Sequence, residues 1–445
     1  MTMKLLLLGA CAPALFAAET LSLHDAVAMA MKKHPLIEVV EAEQRAAAHR
    51  VRQARSGLLP RVNYTESYQA GNNPVFAFST SLSQRRFTAV DFDIGRLNNP
   101  DTANNFQSQL TVDQVIYDGR QTRLNTQSAT LRKNMTSEQE RRTRMQVTAG
   151  VVQAYFGMAL AASGLGVAKD AVKSAEASLK RAETVRAAGM STDAAVLTLR
   201  VHLASMREHE IRRTYDLEVA QASLAEAMGA APGSEFELAT PLAEIPTMGP
   251  ALDDLQKKAS DGRPEIRQAK LAIDLAENQS ASAKSAMLPQ IGARAMIESD
   301  REKFVTGGSG NWFVAATLKW NLFNGNADKE RIGEAAEGLA SARAQSRQVS
   351  STIRLEAHRA YANWKGACER IKVAKEATGM SAESLRITKN RYEAGLTTVT
   401  DLLQQETANL ESQTRLLAAI YDQRVAAAEI EFAAGTLSGD SDVLK

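Results

Sequence analysis

Cysteine is almost absent: Cys11 and Cys368 are the whole complement. Cys11 sits in an apolar N-terminal stretch that reads as a removable leader. The mature chain then keeps only Cys368, and no intrachain disulfide can form. Aromatic residues are scarce at 5% while alanine is plentiful, which fits long Ala-rich helices better than a compact enzyme. An excess of charge of one sign is also missing, since the net charge is only +2. That removes the electrostatic footprint of a nucleic-acid binder. Beyond the leader no run of 18 consecutive apolar residues occurs, which excludes a transmembrane helix. A mature chain that crosses a membrane must therefore do so as a closed β-barrel. Proline is missing from residues 120–188, 190–228, 326–394 and 396–434, so nothing in these stretches interrupts a helix.

The leader itself is residues 1–18. Lys4 supplies a positive start, residues 5–17 form the apolar run, and Ala17 and Ala18 are small residues suited to cleavage before Glu19. A lipoprotein signal is the alternative, because Leu8-Gly9-Ala10-Cys11 resembles a lipobox that would leave Cys11 lipidated. Either route takes the chain out of the cytoplasm.

The chain contains itself twice. Gly119, Gly189 and Gly229 recur as Gly325, Gly395 and Gly435 at one constant spacing, and Pro35 and Pro60 recur as Pro264 and Pro289 at another. Two copies of one unit imply a pseudo-symmetric architecture. The first copy is residues 19–230 and the second 251–436. Residues 231–250, with Pro232, Pro241, Pro246 and Pro250, are the linker, and residues 437–445 are a tail.

One unit reads as helix, hairpin, long helix, helix. Leu23, Ala26, Val27, Ala30 and Met31 mark the apolar face of the first helix, and Pro35 marks a bend or break in it. At Leu59-Pro60 the pattern changes period. Val62, Tyr64 and Tyr68 alternate with Asn63, Thr65 and Ser67; Phe106, Leu110, Val112 and Ile116 alternate with Gln107, Gln109, Thr111 and Asp113. This predicts a hairpin over about 59–117 with a long Asn/Gly/Pro/Ser-rich loop. The second hairpin, about 288–323, is cleaner: Trp312, Val314, Ala316, Leu318, Trp320 and Leu322 alternate with Ala315, Thr317, Lys319 and Asn321. An apolar face with Trp near its ends suits a lipid-facing barrel strand, and a soluble sheet packed on a core gives the same alternation. Leu165, Ala168, Val172, Ala175, Leu179 and Ala182 step by three and four, the spacing of a coiled-coil seam. Leu403, Leu410 and Leu417 recur at heptad spacing. Gly189 and Gly395 mark helix ends with tight turns.

The lengths add up to a conduit. The long helix would reach roughly 100 Å, and the two shorter helices stacked end to end about 115 Å. Four strands cannot close a barrel, and three chains would supply twelve. Three chains also set twelve helices side by side, a ring about 38 Å across with a bore on the order of 25 Å.

The duplicated unit, the Leu-Pro at each strand entry and the Tyr392-Glu393-Ala394-Gly395 turn resemble the TolC-type outer-membrane efflux proteins, over about residues 21–435. The resemblance implies a mainly α protein with a small β part: a homotrimer whose 12-stranded β-barrel, four strands per protomer, is continued by a long α-helical coiled-coil tunnel. It implies an exit duct in the outer membrane with a periplasmic tunnel, working with a periplasmic adaptor and an inner-membrane pump. Its partners are those two proteins, outer-membrane lipid and its own copies, with no nucleic acid, cofactor or metal. The tips Gly189, Met190, Ser191 and Gly395, Leu396, Thr397 would be the periplasmic entrance where the adaptor docks. Asp401 and Gln404 stand where the family carries two acidic rings, so one ring is kept and one is neutral. Tyr392 matches a tyrosine that helps hold the closed state. Thr397 replaces an arginine link of the family's best-known member, and Ala195 an expected acid, with Asp193 nearby. Three Asp401 carboxylates around one axis would attract cations; the other reading of Asp401 is a solvated residue early in its helix.

No catalytic constellation stands out. His202 and His209 read as solvated surface, Gly307-Gly308-Ser309-Gly310 as a strand-to-strand loop, and Tyr155, Phe156, Tyr361, Trp364 and Cys368 as packing side chains. Arg141, Arg142 and Arg144 read as a solvated face. A pore-free periplasmic coiled-coil tether is the competing function, and the apolar strand face argues against it.

Overall fold

The computed structural model describes residues 20–444 except 190–191, 232, 235, 247–248, 250 and 306. The leader, Cys11 and the tip residues Met190 and Ser191 lie outside the described residues. The chain divides into two compact units, and each draws on both sequence repeats.

The first unit comprises Met1–Ala42, Glu138–Arg267 and Arg347–Lys445 and is almost wholly helical. It opens with a short strand β1 (Thr20–Leu21) and helix α1 (Leu23–Lys33), whose N-cap Ser22 accepts from the Asp25 amide. Pro35 breaks the chain: His34 is extended, and Pro35 begins α2 (Pro35–Arg55). The second repeat does the same. Helix α7 (Leu252–Gly262) ends before an extended Arg263, and Pro264 opens α8 (Pro264–Ser285). The other long helices are α5 (Gln121–Ala187), α6 (Asp193–Met228), α9 (Ala327–Glu393) and α10 (Val399–Ala434); α2, α5, α8 and α9 each have residues in both units. Strand β4 (Glu237–Leu238) pairs in parallel with β1, so the linker is partly ordered by the chain's first described residues.

Gly229 and Gly435 end α6 and α10 in the left-handed conformation, at φ +67° and +76°. A side chain at Gly229 would meet the backbone of Lys33 and His34, and one at Gly435 that of Gly262 and Arg263. Each proline break thus receives the glycine that closes a helix of its own repeat.

The core of this unit gathers Leu23, Val27, Val151, Tyr155, Phe156 and Met228, all essentially sealed from solvent. Each large apolar side chain buried this way contributes about 2–3 kcal/mol. The Tyr155 hydroxyl donates to the Leu21 carbonyl (2.8 Å) and accepts from the Thr240 amide (3.0 Å), so its polar tip is satisfied. Trp364 and Cys368 are buried in a second cluster with Ile353 and Ile430. The seam residues Ala168, Val172, Ala175 and Ala182 are buried as their spacing predicts. By length and composition α5 is apolar enough to cross a membrane, which the run-length argument missed because polar residues interrupt its apolar stretch. Its apolar side chains from Val147 to Ala159 pack in this core instead.

The second unit, Glu43–Ser137 and Gln268–Ser346, carries the sheet. Strands β2 (Arg61–Gly71), β3 (Ala103–Tyr117), β5 (Gln290–Arg301) and β6 (Ser309–Lys319) form one antiparallel sheet in the order β2-β3-β5-β6. The two hairpins are therefore joined through β3 and β5, one strand from each repeat. Strands β2 and β6 are edges with one neighbour each. The connection between β2 and β3 is not a plain loop. It holds α3 (Pro74–Ser83), a short 3-10 turn (Ala89–Phe92) and α4 (Ile94–Asn98). The Asn73 side chain caps α3 and Pro74 occupies its first turn, a start signal hidden within a turn-rich composition.

Candidate membrane face and entrance

Register builds the candidate membrane face. Tyr64, Leu110, Ile297 and Trp312 stand side by side across the four strands, and Val62, Val112, Ala295 and Val314 form the next row. The opposite face carries Thr65, Gln109, Glu298 and Asn311 in one row. A soluble sheet buries its apolar face; here that face is open, with Trp312 77%, Val314 69% and Leu318 63% exposed. The buried side chains are instead polar: Asn105, and Asp300 at 2%. The inversion is what lipid outside and water inside require.

Trp320 and Leu322 are exposed but do not belong to the strand. The ladder ends at the pair Gln290–Lys319. Beyond it the facing residue is Pro289, which has no N–H to give. Trp320 turns its indole N–H to the Met287 carbonyl at 3.1 Å.

At the other candidate region, α9 ends with Gly395 at φ +71°, and the Gly395 and Leu396 amides close onto the Tyr392 and Arg391 carbonyls. Leu396 is exposed and Thr397 partly covered. Thr398 caps α10, and Asp401 completes a capping box. One Asp401 oxygen accepts from the Thr397 hydroxyl (2.8 Å), the Thr398 hydroxyl (2.6 Å) and the Thr398 amide (3.0 Å). These bonds, those from Thr398 foremost, hold the Asp401 carboxyl below its ordinary range. The structure thus joins Thr397 to Asp401. Gln404 lies exposed on α10, and Tyr392 is half-buried in the last turn of α9, where burial pushes its hydroxyl pKa up. At the first tip Gly189 has φ +75°, Thr192 caps α6, and Asp193 pairs with Arg186 at 3.1 Å.

Close to these tips the two helical hairpins are locked by a site that sequence reading did not find. His202 on α6 lies 3.0 Å from Glu406 on α10, and both are about nine-tenths covered. Ser178 and Ser174 of α5 donate to the same carboxylate at 3.1 and 3.4 Å. His202 is therefore not solvated surface: α5 and α10 cover it. Ala182, Val196 and Leu199 pack with Val399 and Leu403 nearby, and Arg181 reaches Glu393 at 3.0 Å. The arginines read as a solvated face are likewise engaged. Arg142 pairs with Glu265, Arg144 with Glu41 and Glu140, and Arg141 donates to the Gly435 carbonyl. Apart from Arg144–Glu140, an i,i+4 helix pair, no one-dimensional signal announces such pairs, because their members lie far apart in the chain. Among the described residues no group of three or more His, Cys, Asp or Glu could hold a metal ion.

Comparison with known proteins gives these features a setting. Solved structures share the fold across nearly the whole chain. A membrane protein from Pseudomonas aeruginosa is 20% identical with a TM-score of 0.77, covering 95% of this chain and 92% of its own. The CmeC outer membrane channel of Campylobacter jejuni is 17% identical with a TM-score of 0.78, covering 95% and 87%. The outer membrane protein VceC of Vibrio cholerae is 17% identical with a TM-score of 0.75, covering 93% and 96%. No curated protein sequence matches. A family model described as outer membrane efflux protein matches residues 26–230 and 255–436, both repeats and little else; the chain belongs to the outer membrane efflux protein family.

Proposed function

We propose that three copies of this chain form an outer-membrane exit duct that receives cargo from an inner-membrane pump through a periplasmic adaptor. The sheet carries the reading. It has an exposed apolar face, a polar face behind it, and two open edges. Open edges in hydrocarbon leave backbone groups unsatisfied at several kcal/mol each. Pairing β6 of one copy with β2 of the next removes every edge and gives twelve strands. Tyr68 and Phe106 at one end of the apolar face, and Trp320 at the other, supply aromatic girdles. The helices then line a periplasmic tunnel, with the Gly189 and Gly395 turns as the surface the adaptor grips.

In this duct Asp401 makes the entrance cation-selective. Its capping bonds favour the carboxylate and oppose the mutual repulsion of three carboxylates around an axis. Tyr392, Gln404 and Thr397 complete the entrance. Planar-bilayer recording of the purified protein tests both levels. Expected are stable channels that favour cations, and a reversal potential that moves towards zero in Asp401→Asn. Unchanged selectivity in Asp401→Asn removes the ring. Protein that washes off membranes in carbonate and carries no current removes the duct.

A further inference from the structure

We propose that the insert between β2 and β3 is a plug: three copies of residues 74–98 meet inside the outer rim of the barrel and close it to cargo-sized solutes while leaving gaps for small ions. The inference rests on the trimeric reading above.

The side of the sheet on which the insert lies is decisive. The Gln84 side-chain amide donates to the Asn104 carbonyl (2.8 Å) and the Asn105 side chain (3.1 Å), and Asn105 donates to Asp300 at 2.7 Å. Asn105 and Asp300 point to the polar face, opposite Phe106 and Tyr68. At the far edge Ser309 donates to the Ser83 carbonyl and Arg85 donates to the Gly310 carbonyl. Arg86 pairs with Glu302 at 2.8 Å. The insert leaves edge strand β2, crosses the polar face and reaches edge strand β6. It covers the full arc of its protomer on the side that becomes the lumen.

Size completes the argument. Twelve strands spaced about 4.8 Å apart and tilted about 40° make a barrel about 24 Å across between backbones. Three helices of about 10 Å diameter packed together need a circle about 22 Å across. Three copies of α3 therefore crowd the rim, so that small ions pass between them and cargo-sized solutes do not. The insert's exposed apolar side chains also find their use here. Val75, Phe92 and Ile94 are each more than 60% exposed, and the insert that carries them is anchored on the polar face, the side away from lipid in the closed barrel. The surfaces that can cover them are the same side chains of the two neighbouring copies. Each insert starts from the edge strand that forms the seam between copies, so it follows the same three-fold symmetry.

Thiol access from outside the cell tests the plug without depending on the inner entrance. Thr111 lies on the polar face, below the insert. In a Cys368→Ser background, Thr111→Cys should resist a bulky membrane-impermeant maleimide on whole cells. It should be labelled at least tenfold faster when residues 75–97 are replaced by a Gly-Ser linker. The double variant Gln84→Ala/Arg86→Ala, which keeps the insert and removes two anchors, should fall between. Ile94→Cys should form disulfide-linked dimers on mild oxidation. Equal labelling of Thr111→Cys with and without the insert, in protein that chemical cross-linking shows to be trimeric, overturns the plug and leaves the duct standing. Failure to trimerise overturns both.

Discussion

At the scale of single residues, two glycines and one buried pair decide most. Gly435 adopts φ +76° with the Gly262 and Arg263 backbone within 3 Å of where a Cβ would stand. Gly435→Ala should lower stability by at least 1 kcal/mol through the left-handed backbone alone, read as a fall in melting temperature. Glu406→Ala should cost about 1–3 kcal/mol because it leaves the buried His202 ring and the Ser178 hydroxyl without their polar partner. Pairing it with His202→Ala should recover part of that loss, and an additive double-mutant cycle would show that the two do not interact. Asp401 links pH to the entrance with a definite sign. Its folded pKa is depressed, so its contribution to the α10 cap is present above the unfolded carboxylate value and is lost as pH falls through the folded value. Protection of the amides in the first turn of α10, taken relative to their intrinsic exchange rates, should fall on acidification, and Asp401→Asn should remove that dependence. Of these residues, the glycines and Asp401 were legible in the sequence as a repeat and a position. The Glu406 partnership was not, because helical periodicity says which face a side chain takes and not which distant helix meets it.

Elements were legible in proportion to their regularity. Proline-free stretches became α5, α6, α9 and α10 within a few residues of their expected ends, since cap and turn signals flank them. Pro35, which suggested a bend, produced a clean break, and its repeat counterpart Pro264 did the same. The strands followed their alternation until β6 met Pro289, where cross-strand pairing outranked side-chain pattern. The insert was missed as helix because α3 and α4 are short and their Asn, Ser and Pro content is that of turns; packing on the polar face supplies what propensity lacks. The two faces of β6 make a direct test. Val314→Arg, on the exposed apolar face, should cost about 2–4 kcal/mol if it lies near the bilayer midplane and should reduce insertion into lipid. Thr317→Arg on the other face should insert normally and change conductance only. Equal insertion of the two variants would mean that the apolar face does not meet lipid.

For the whole molecule the duplication is the organising fact. Neither compact unit corresponds to one repeat: each is assembled from both, so the two copies fold together and not as successive domains. The sheet shows why, since β3 of the first copy and β5 of the second are its central pair. Separately expressed halves should therefore be unstable alone and recover only when mixed, which circular dichroism of residues 19–230 against the full chain would check. Assembly belongs to the same scale. Cross-linking in detergent should trap three copies and no stable monomer, because each chain alone exposes two strand edges and one apolar face.

What the sequence determined by itself was periodicity: where helices run unbroken, where strands alternate, and that everything happens twice. These follow from local sterics and from the two- and 3.6-residue repeats of side-chain direction, which act along the chain. Only the tertiary structure decided which face of the sheet stays open, that a helical insert lies on the other, and that a histidine and a glutamate two hundred residues apart are buried together. Those depend on which surfaces meet in space, and a linear order of side chains does not specify that.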